Sequence, residues 1–159
     1  MRNILDRFLK KYKNDNLYFL HADMWRFELF NEKNTNRCIN VGVQEPNMIN
    51  IALGLASQGK KVIIYGVAGF NIYKGYEQLK FYRKTFGDNL IFVNAGANGC
   101  YDHLGIGHTL DDDDSIMRLL DIPLFEPTTG KDFLNILCKC IRNDGTNYIR
   151  LGWDDCKWK

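Results

Sequence analysis

Short apolar runs rich in β-branched and aromatic residues alternate with longer amphipathic stretches from one end of the chain to the other. Six runs read as strands, at residues 17–20, 38–41, 62–65, 90–94, 123–125 and 148–151. Helical periodicity fills residues 3–13, 46–57, 72–86, 112–120 and 131–141. Strands separated by helix-length segments mark a parallel sheet covered on both faces. The expected fold is therefore α/β, a single doubly wound domain with a mostly parallel six-stranded sheet and helices on both faces. No linker, internal repeat or low-complexity segment divides residues 1–159.

The second helix is the clearest, because Met48, Ile51, Ala52, Leu55 and Ala56 recur at the three- and four-residue spacing of one apolar stripe. Pro46 suits the first helical position, where its missing N–H costs nothing, and Gly59 suits a left-handed residue just past the C-terminus. In open α/β sheets, ligands bind outside the carboxyl ends of the strands. Chemistry is thus expected in the segments after Val41, Tyr65, Asn94 and Leu151.

Composition narrows the function classes. The 21 basic and 19 acidic residues are interspersed, leaving a net charge of +2 and no broad basic face for a nucleic acid. Residues 2–12 are amphipathic and charge-rich, without the apolar core of a secretory signal, and no run approaches membrane-spanning length. A soluble, cytoplasmic protein is expected, with neither nucleic acid nor membrane as partner. Five cysteines with no CxxC pair point to reduced thiols rather than a disulfide framework or a zinc site. The run of Asp111 to Asp114 reads as an N-cap with favourable first-turn charge, not as a metal site, so no metal ligands are assigned to this chain. The tail from Trp153 to Lys159 reads as a mobile terminus or a partner contact.

Taken alone, Glu45 is an acidic residue at a helix N-terminus, favourable to the macrodipole. Its neighbours add a second reading. Residues 40–48 (NVGVQEPNM) resemble the transketolase-family pattern (I/N)-x-G-I-x-E-Q-N-M, whose glutamate binds the aminopyrimidine ring of thiamine diphosphate. Residues 65–80 (YGVAGFNIYKGYEQLK) resemble the family's aromatic segment and the helix after it. Residues 103–118 (HLGIGHTLDDDDSIMR) are similar to its G-P-T-H-x-x-x-E-D-x-x-x-x-R stretch, and residues 148–152 (YIRLG) to its last strand. The sequence His21-Ala22-Asp23-Met24 resembles the T-A-D-L after the first strand, which makes Asp23 a candidate substrate contact.

This resemblance implies the pyrimidine-binding fold of thiamine-diphosphate enzymes over residues 1–159. Neither the G-D-G…N pattern of the diphosphate-binding domain nor the C-terminal transketolase domain is expected in it. It implies catalytic roles for Glu45 and His108, and contacts to the cofactor from Glu45, Phe70, Tyr73, Tyr65 and Val67. Many family members carry an aromatic residue where Val67 stands, so either a looser pocket or compensation by Tyr65 is expected. Glu45 would hold a proton against a ring nitrogen of the cofactor, as a carboxyl group deprived of solvation does readily. His108, His103, Arg150 and Asp23 would face the substrate, a sugar or keto compound. Gly96 stands where sugar-phosphate transketolases place a phosphate-binding histidine, and Leu104 where they place an aspartate, so a different donor or acceptor is expected.

The cofactors implied are thiamine diphosphate, shared across a subunit interface, and Mg²⁺, held by the partner. The partner implied is a diphosphate-binding transketolase subunit, in a heterotetramer that transfers a ketol or acyl unit. Two other readings stay open. One is a noncatalytic α/β scaffold or regulatory module; the other is a beta-type subunit of a 2-oxo-acid dehydrogenase. A nucleotide-binding Rossmann domain is disfavoured, because GANG and GVAG lack the G-x-G-x-x-G spacing.

Overall fold

A computed structural model describes residues 2–12, 14–24, 37–86, 88–96, 98–110 and 112–152. The elements run α1 (Arg2–Lys11), β1 (Leu17–His21), β2 (Cys38–Asn40), α2 (Glu45–Ser57), β3 (Lys61–Val67), α3 (Ala68–Phe86) and β4 (Leu90–Ala95). They continue with α4 (Asp113–Leu119), β5 (Leu124–Phe125), α5 (Gly130–Arg142) and β6 (Asn147–Leu151). The six strands form one sheet in the order β2-β1-β3-β4-β6-β5, and every pairing is parallel.

Parallel strands need crossovers, and helices placed on both faces bury both sides of each central strand. Along β3, Val62 and Ile64 enter one core with Met48, Ile49, Ile72 and Met117, from α2, α3 and α4. The alternate residues Ile63 and Tyr65 enter the other, with Leu5 and Leu9 of α1 and Phe133 and Leu137 of α5. This two-residue alternation across a sheet buried on both sides is the doubly wound α/β fold expected from the sequence.

Local signals set the boundaries. Pro46 lies in the first turn of α2, and Gly59 has φ +73° just past its end, where its N–H donates to the Ala56 carbonyl at 2.9 Å. The stripe of α2 is rotated from the expected one. Ile49 and Leu53 are buried with Met48, Ala52 and Ala56, while Ile51 and Leu55 pack only at the edge. The cause is α3, which lies against α2 so closely that a Cβ on Gly75 would stand 1.9 Å from Cδ1 of Ile49.

Two expectations about α3 and α4 are corrected. Helix α3 begins at Ala68 directly after β3, four residues before the expected Ile72, so Phe70 lies in its first turn rather than in a loop, and Tyr73 lies further into the helix than expected. Asp112 precedes α4 but its side chain makes no capping bond, and Asp113 is fully buried. Asp113 keeps its expected place in the first turn but also accepts from the Tyr148 hydroxyl and from Arg150, both at 2.9 Å, partners that only packing against β6 supplies. Asp111 and the tail from Trp153 lie outside the described residues. The expectation of reduced thiols holds for Cys38, Cys138 and Cys140 but is corrected at Cys100, which is disulfide-bonded. Spacing along the chain says nothing of cysteines that folding brings together. No helix among the described residues is long and apolar enough to cross a membrane.

Candidate active site

The strands β1, β2, β3, β4 and β6 end at His21, Asn40, Val67, Ala95 and Leu151, and most candidate residues follow those ends. Glu45 opens α2 with its side chain 6% exposed, in the first turn where the helix dipole favours a negative charge. Lys74 reaches it from α3, with Nζ 3.3 Å from Oε2 of Glu45. The same ammonium lies 4.2 Å from the centroid of Phe70, in cation–π contact. On a helix, residues four apart share a face, so Phe70 and Lys74 form one surface toward Glu45.

His108 closes the other side. It ends the 3₁₀ turn Ile106–His108, and its ring meets Phe70 edge-on at 4.8 Å between centroids. Its Nδ1 is buried and has no hydrogen-bond partner among the described residues. Tyr73 is half-exposed and donates its hydroxyl to Asp112, joining α3 to the segment before α4. Glu45, Lys74, Phe70 and His108 thus gather in one place, with Tyr73 on the adjacent turn.

The remaining candidates divide. Val67 is half-buried at the end of β3, whereas Tyr65 is 2% exposed and packed in the core beside Phe19, at 6.3 Å between ring centroids. His103 is exposed in the 3₁₀ turn Asp102–Leu104. Asp23 has φ +50° and exchanges hydrogen bonds with Asn40 across the ends of β1 and β2: its N–H donates at 3.0 Å and its carboxylate accepts at 3.3 Å. His21, just before it, is 2% exposed. Burial lowers the pKa of His21, with the Asp23 charge opposing and that of Arg2 reinforcing the shift.

Arg150 does not present a free fork. Its two terminal nitrogens donate to Asp113 and Glu126, each at 2.9 Å, and Glu126 also accepts from the amide of Asn98. Burial works against the guanidinium charge, but the bond to Glu126 and the charge of Asp113 more than restore it, holding its pKa above the usual value. Behind this pair, Tyr148 is fully buried, and burial together with Asp113 pushes its hydroxyl well above the ordinary range. The buried amides of Asn71 and Asn94 meet at 2.7 Å and tie α3 to β4 beside it.

Sequence reasoning missed Lys74, Asp113 and Glu126. Lys74 was accessible in principle, since a helix beginning at Ala68 would have put it one turn from Phe70. Glu126 and Asp113 had no local signal, because they reach Arg150 only through the pairing of β5 with β6 and the packing of α4. No three His, Cys, Asp or Glu side chains gather into a metal-binding group among the described residues.

No protein-family model matches the chain. Curated proteins do. The chain is 29% identical over 143 residues to the 6-deoxy-6-sulfo-D-fructose transketolase subunit of Clostridium sp. strain MSTE9, covering 87% of this chain and 44% of that protein. It is 33% identical over 120 residues to an apulose-4-phosphate transketolase subunit of Actinobacillus succinogenes, covering 73% and 38%. It is 30% identical over 149 residues to a putative transketolase C-terminal section of Methanocaldococcus jannaschii, covering 89% and 46%. The chain therefore spans less than half the length of these relatives.

Among solved structures, a split-gene transketolase described as an inactive beta4 tetramer superposes with a TM-score of 0.78 at 23% identity, over 95% of this chain and 50% of that one. A Pichia stipitis transketolase complexed with sedoheptulose-7-phosphate also gives 0.78, at 16% identity, over 96% and 25%. These similarities show a shared fold, and the curated relatives add the ancestry. The chain belongs to the transketolase family.

Proposed function

We propose that the chain is the pyrimidine-binding subunit of a two-subunit, thiamine-diphosphate-dependent, transketolase-like enzyme of the cytoplasm. The observation that carries this reading is the buried Glu45 carboxylate at the head of α2, facing the shared surface of Phe70 and Lys74. A carboxylate at 6% exposure, paired with a half-exposed lysine, is costly to keep unless a ligand uses it.

The residues present fit an aminopyrimidine ring. Glu45 would hold a proton at its ring nitrogen, Phe70 would stack on its face, and Tyr73 and Val67 would border it. Tyr65, enclosed in the core, would support β3 from behind. The buried, orphaned Nδ1 of His108 is a polar group awaiting a partner, suited to a substrate oxygen or a proton in transit. His103 and Asp23 would lie further out, as substrate contacts. Lys74 must leave Glu45 when the ring arrives, which its 47% exposure permits. When bound, thiamine diphosphate supplies the carbon nucleophile that carries a ketol or acyl unit between carbonyl compounds.

The diphosphate and its Mg²⁺ would be held by the partner. Two relatives are named as transketolase subunits and one structural neighbour as a split-gene transketolase, which supports a partner of that kind. Val43 at 68% and Ile106 at 94% exposure flank Glu45 and His108 in sequence, an apolar rim suited to a subunit contact. A heterotetramer with two copies of each chain would complete two sites.

The test is Glu45→Gln in complex with a diphosphate-binding transketolase subunit. Exchange of the cofactor's thiazolium proton should slow by roughly 100-fold or more, while cofactor affinity changes much less. An unchanged exchange rate in an assembled complex would reduce Glu45 to a helix-terminus charge and sink the reading.

A further inference from the structure

The second cluster at the carboxyl edge of the sheet bears on which substrates this site accepts. Arg150 is the cation of that cluster, and two carboxylates hold its fork. Asp113 is fully buried, fixed by the Tyr148 hydroxyl at 2.9 Å, and cannot turn away. Glu126, with its side chain 42% exposed, covers the other terminal nitrogen of Arg150 from the segment after β5 and is braced by Asn98. One positive charge against two negative charges leaves the cluster with a net charge of −1, so an incoming phosphate would meet repulsion rather than a receptive guanidinium.

An independent observation agrees. Gly96, after β4, has φ +103°, and a Cβ there would stand 2.6 Å from the ring of Tyr101. No side chain can project from that position to help bind an oxyanion, because an aromatic ring already fills the space. Charge thus disfavours an anion at the terminal nitrogens of Arg150, and volume leaves no room for an added side chain at Gly96.

We infer that Glu126 is a specificity-determining residue that masks Arg150, so that this end of the site receives an uncharged, hydroxyl-bearing substrate end rather than a phosphate. Each carboxylate oxygen of Glu126 keeps a lone pair free to accept from a substrate hydroxyl. The substrate class rests on the transketolase reading above; the masking of Arg150 does not.

The experiment has two arms. In the first, inorganic phosphate is titrated into the full chain while the Arg150 Nε–H resonance is followed by NMR. The wild type should show no saturable shift at millimolar phosphate. Glu126→Gln keeps the packing and a hydrogen-bond acceptor but removes the charge, and should bind phosphate at least about tenfold more tightly, an effect abolished in Glu126→Gln/Arg150→Met. Saturation of the wild type at the same concentrations as the variant would overturn the proposal, as would silence from both proteins.

In the second arm, the complex with a diphosphate-binding subunit is assayed with fructose and with fructose 6-phosphate as probes. Glu126→Gln should lower KM for the phosphorylated probe by about tenfold relative to the neutral one. An unmoved ratio counts against the proposal. Inactivity with every probe would fail the transketolase reading instead, and the phosphate titration would still decide the role of Glu126.

Discussion

The ammonium of Lys74 sits 3.3 Å from the carboxylate of Glu45 and 4.2 Å over the ring of Phe70, so a lysine of the same chain occupies the surface proposed for the cofactor ring. Glu45 is nearly enclosed and Lys74 is half in water. Of the two, the lysine is the movable partner.

Replacing Lys74 by Met should cost on the order of 1–3 kcal/mol, because it leaves the enclosed Glu45 carboxylate without its cationic partner. In the assembled complex the same change should tighten cofactor binding by about threefold, since the ring no longer competes with an ammonium for Glu45 and Phe70. Calorimetric titration of cofactor into wild-type and variant complexes measures this. Weaker binding in the variant would mean that Lys74 helps to hold the ligand.

The exposed apolar rim bears on assembly. Ile106→Asp combined with Val43→Asp places two charges on side chains that are mostly in solvent, so the isolated chain should unfold at the same urea concentration as the wild type. Association with a diphosphate-binding subunit should weaken by about 100-fold or more if that rim becomes the apolar centre of an interface. Analytical ultracentrifugation at micromolar protein decides it, and undiminished assembly would move the interface elsewhere.

Gly75 sets the closeness of α2 and α3. Gly75→Ala forces a methyl onto Cδ1 of Ile49, which costs about 1–3 kcal/mol, while alanine's better helix propensity returns about 1 kcal/mol. A net loss of about 1 kcal/mol should appear in urea denaturation. Adding Ile49→Val removes the clashing carbon and should recover most of that loss, a coupling that independent sites would not show.

Asp88 gives the fold an acid-sensitive joint. It accepts from the guanidinium of Arg83 at 2.7 Å and from the Thr146 N–H at 2.9 Å, while Arg83, 3% exposed, also donates to the Leu120 carbonyl at 2.6 Å. Burial alone would raise the pKa of Asp88, but the bonds from Thr146 and Arg83 together outweigh it and lower the value. A carboxylate with a depressed folded-state pKa contributes stability that is present above its unfolded value, about 3.9, and is lost as pH falls through the folded one. Asp88→Asn should cost about 1–2 kcal/mol at neutral pH, because it leaves a buried guanidinium poorly paired. It should also flatten the decline in stability below about pH 4. Urea midpoints measured from about pH 7 down to about pH 3 test both parts.

Much of this molecule is legible in the order of its residues. Strand and helix alternation dictated the class, since a sheet buried on both faces needs continuous apolar strands and amphipathic crossovers. The segment around Glu45 carried its own signal: a strand end, Pro46 in the first helical turn and an acidic residue just before it. These features are local, depending on residues a few positions apart, and backbone propensity and periodicity report such distances.

What tertiary structure decided lies beyond that range. The start of α3 at Ala68 turned Phe70 and Lys74 into one surface, and only packing brought that surface to Glu45, which is 29 residues from Lys74 in sequence. Asp113 read as a favourable first-turn charge, and the docking of α4 on β6 gave it to Tyr148 and Arg150 as well. Glu126 reached Arg150 through the β5–β6 pairing, and Tyr101 filled the space beside Gly96 through a loop closure. The sequence by itself determined which backbone elements form, and it put the candidate residues for the proposed ligand at or near the strand ends. Which charges remain free to meet that ligand was decided by long-range packing, because a side chain's electrostatic partner is fixed by three-dimensional neighbours rather than by position along the chain.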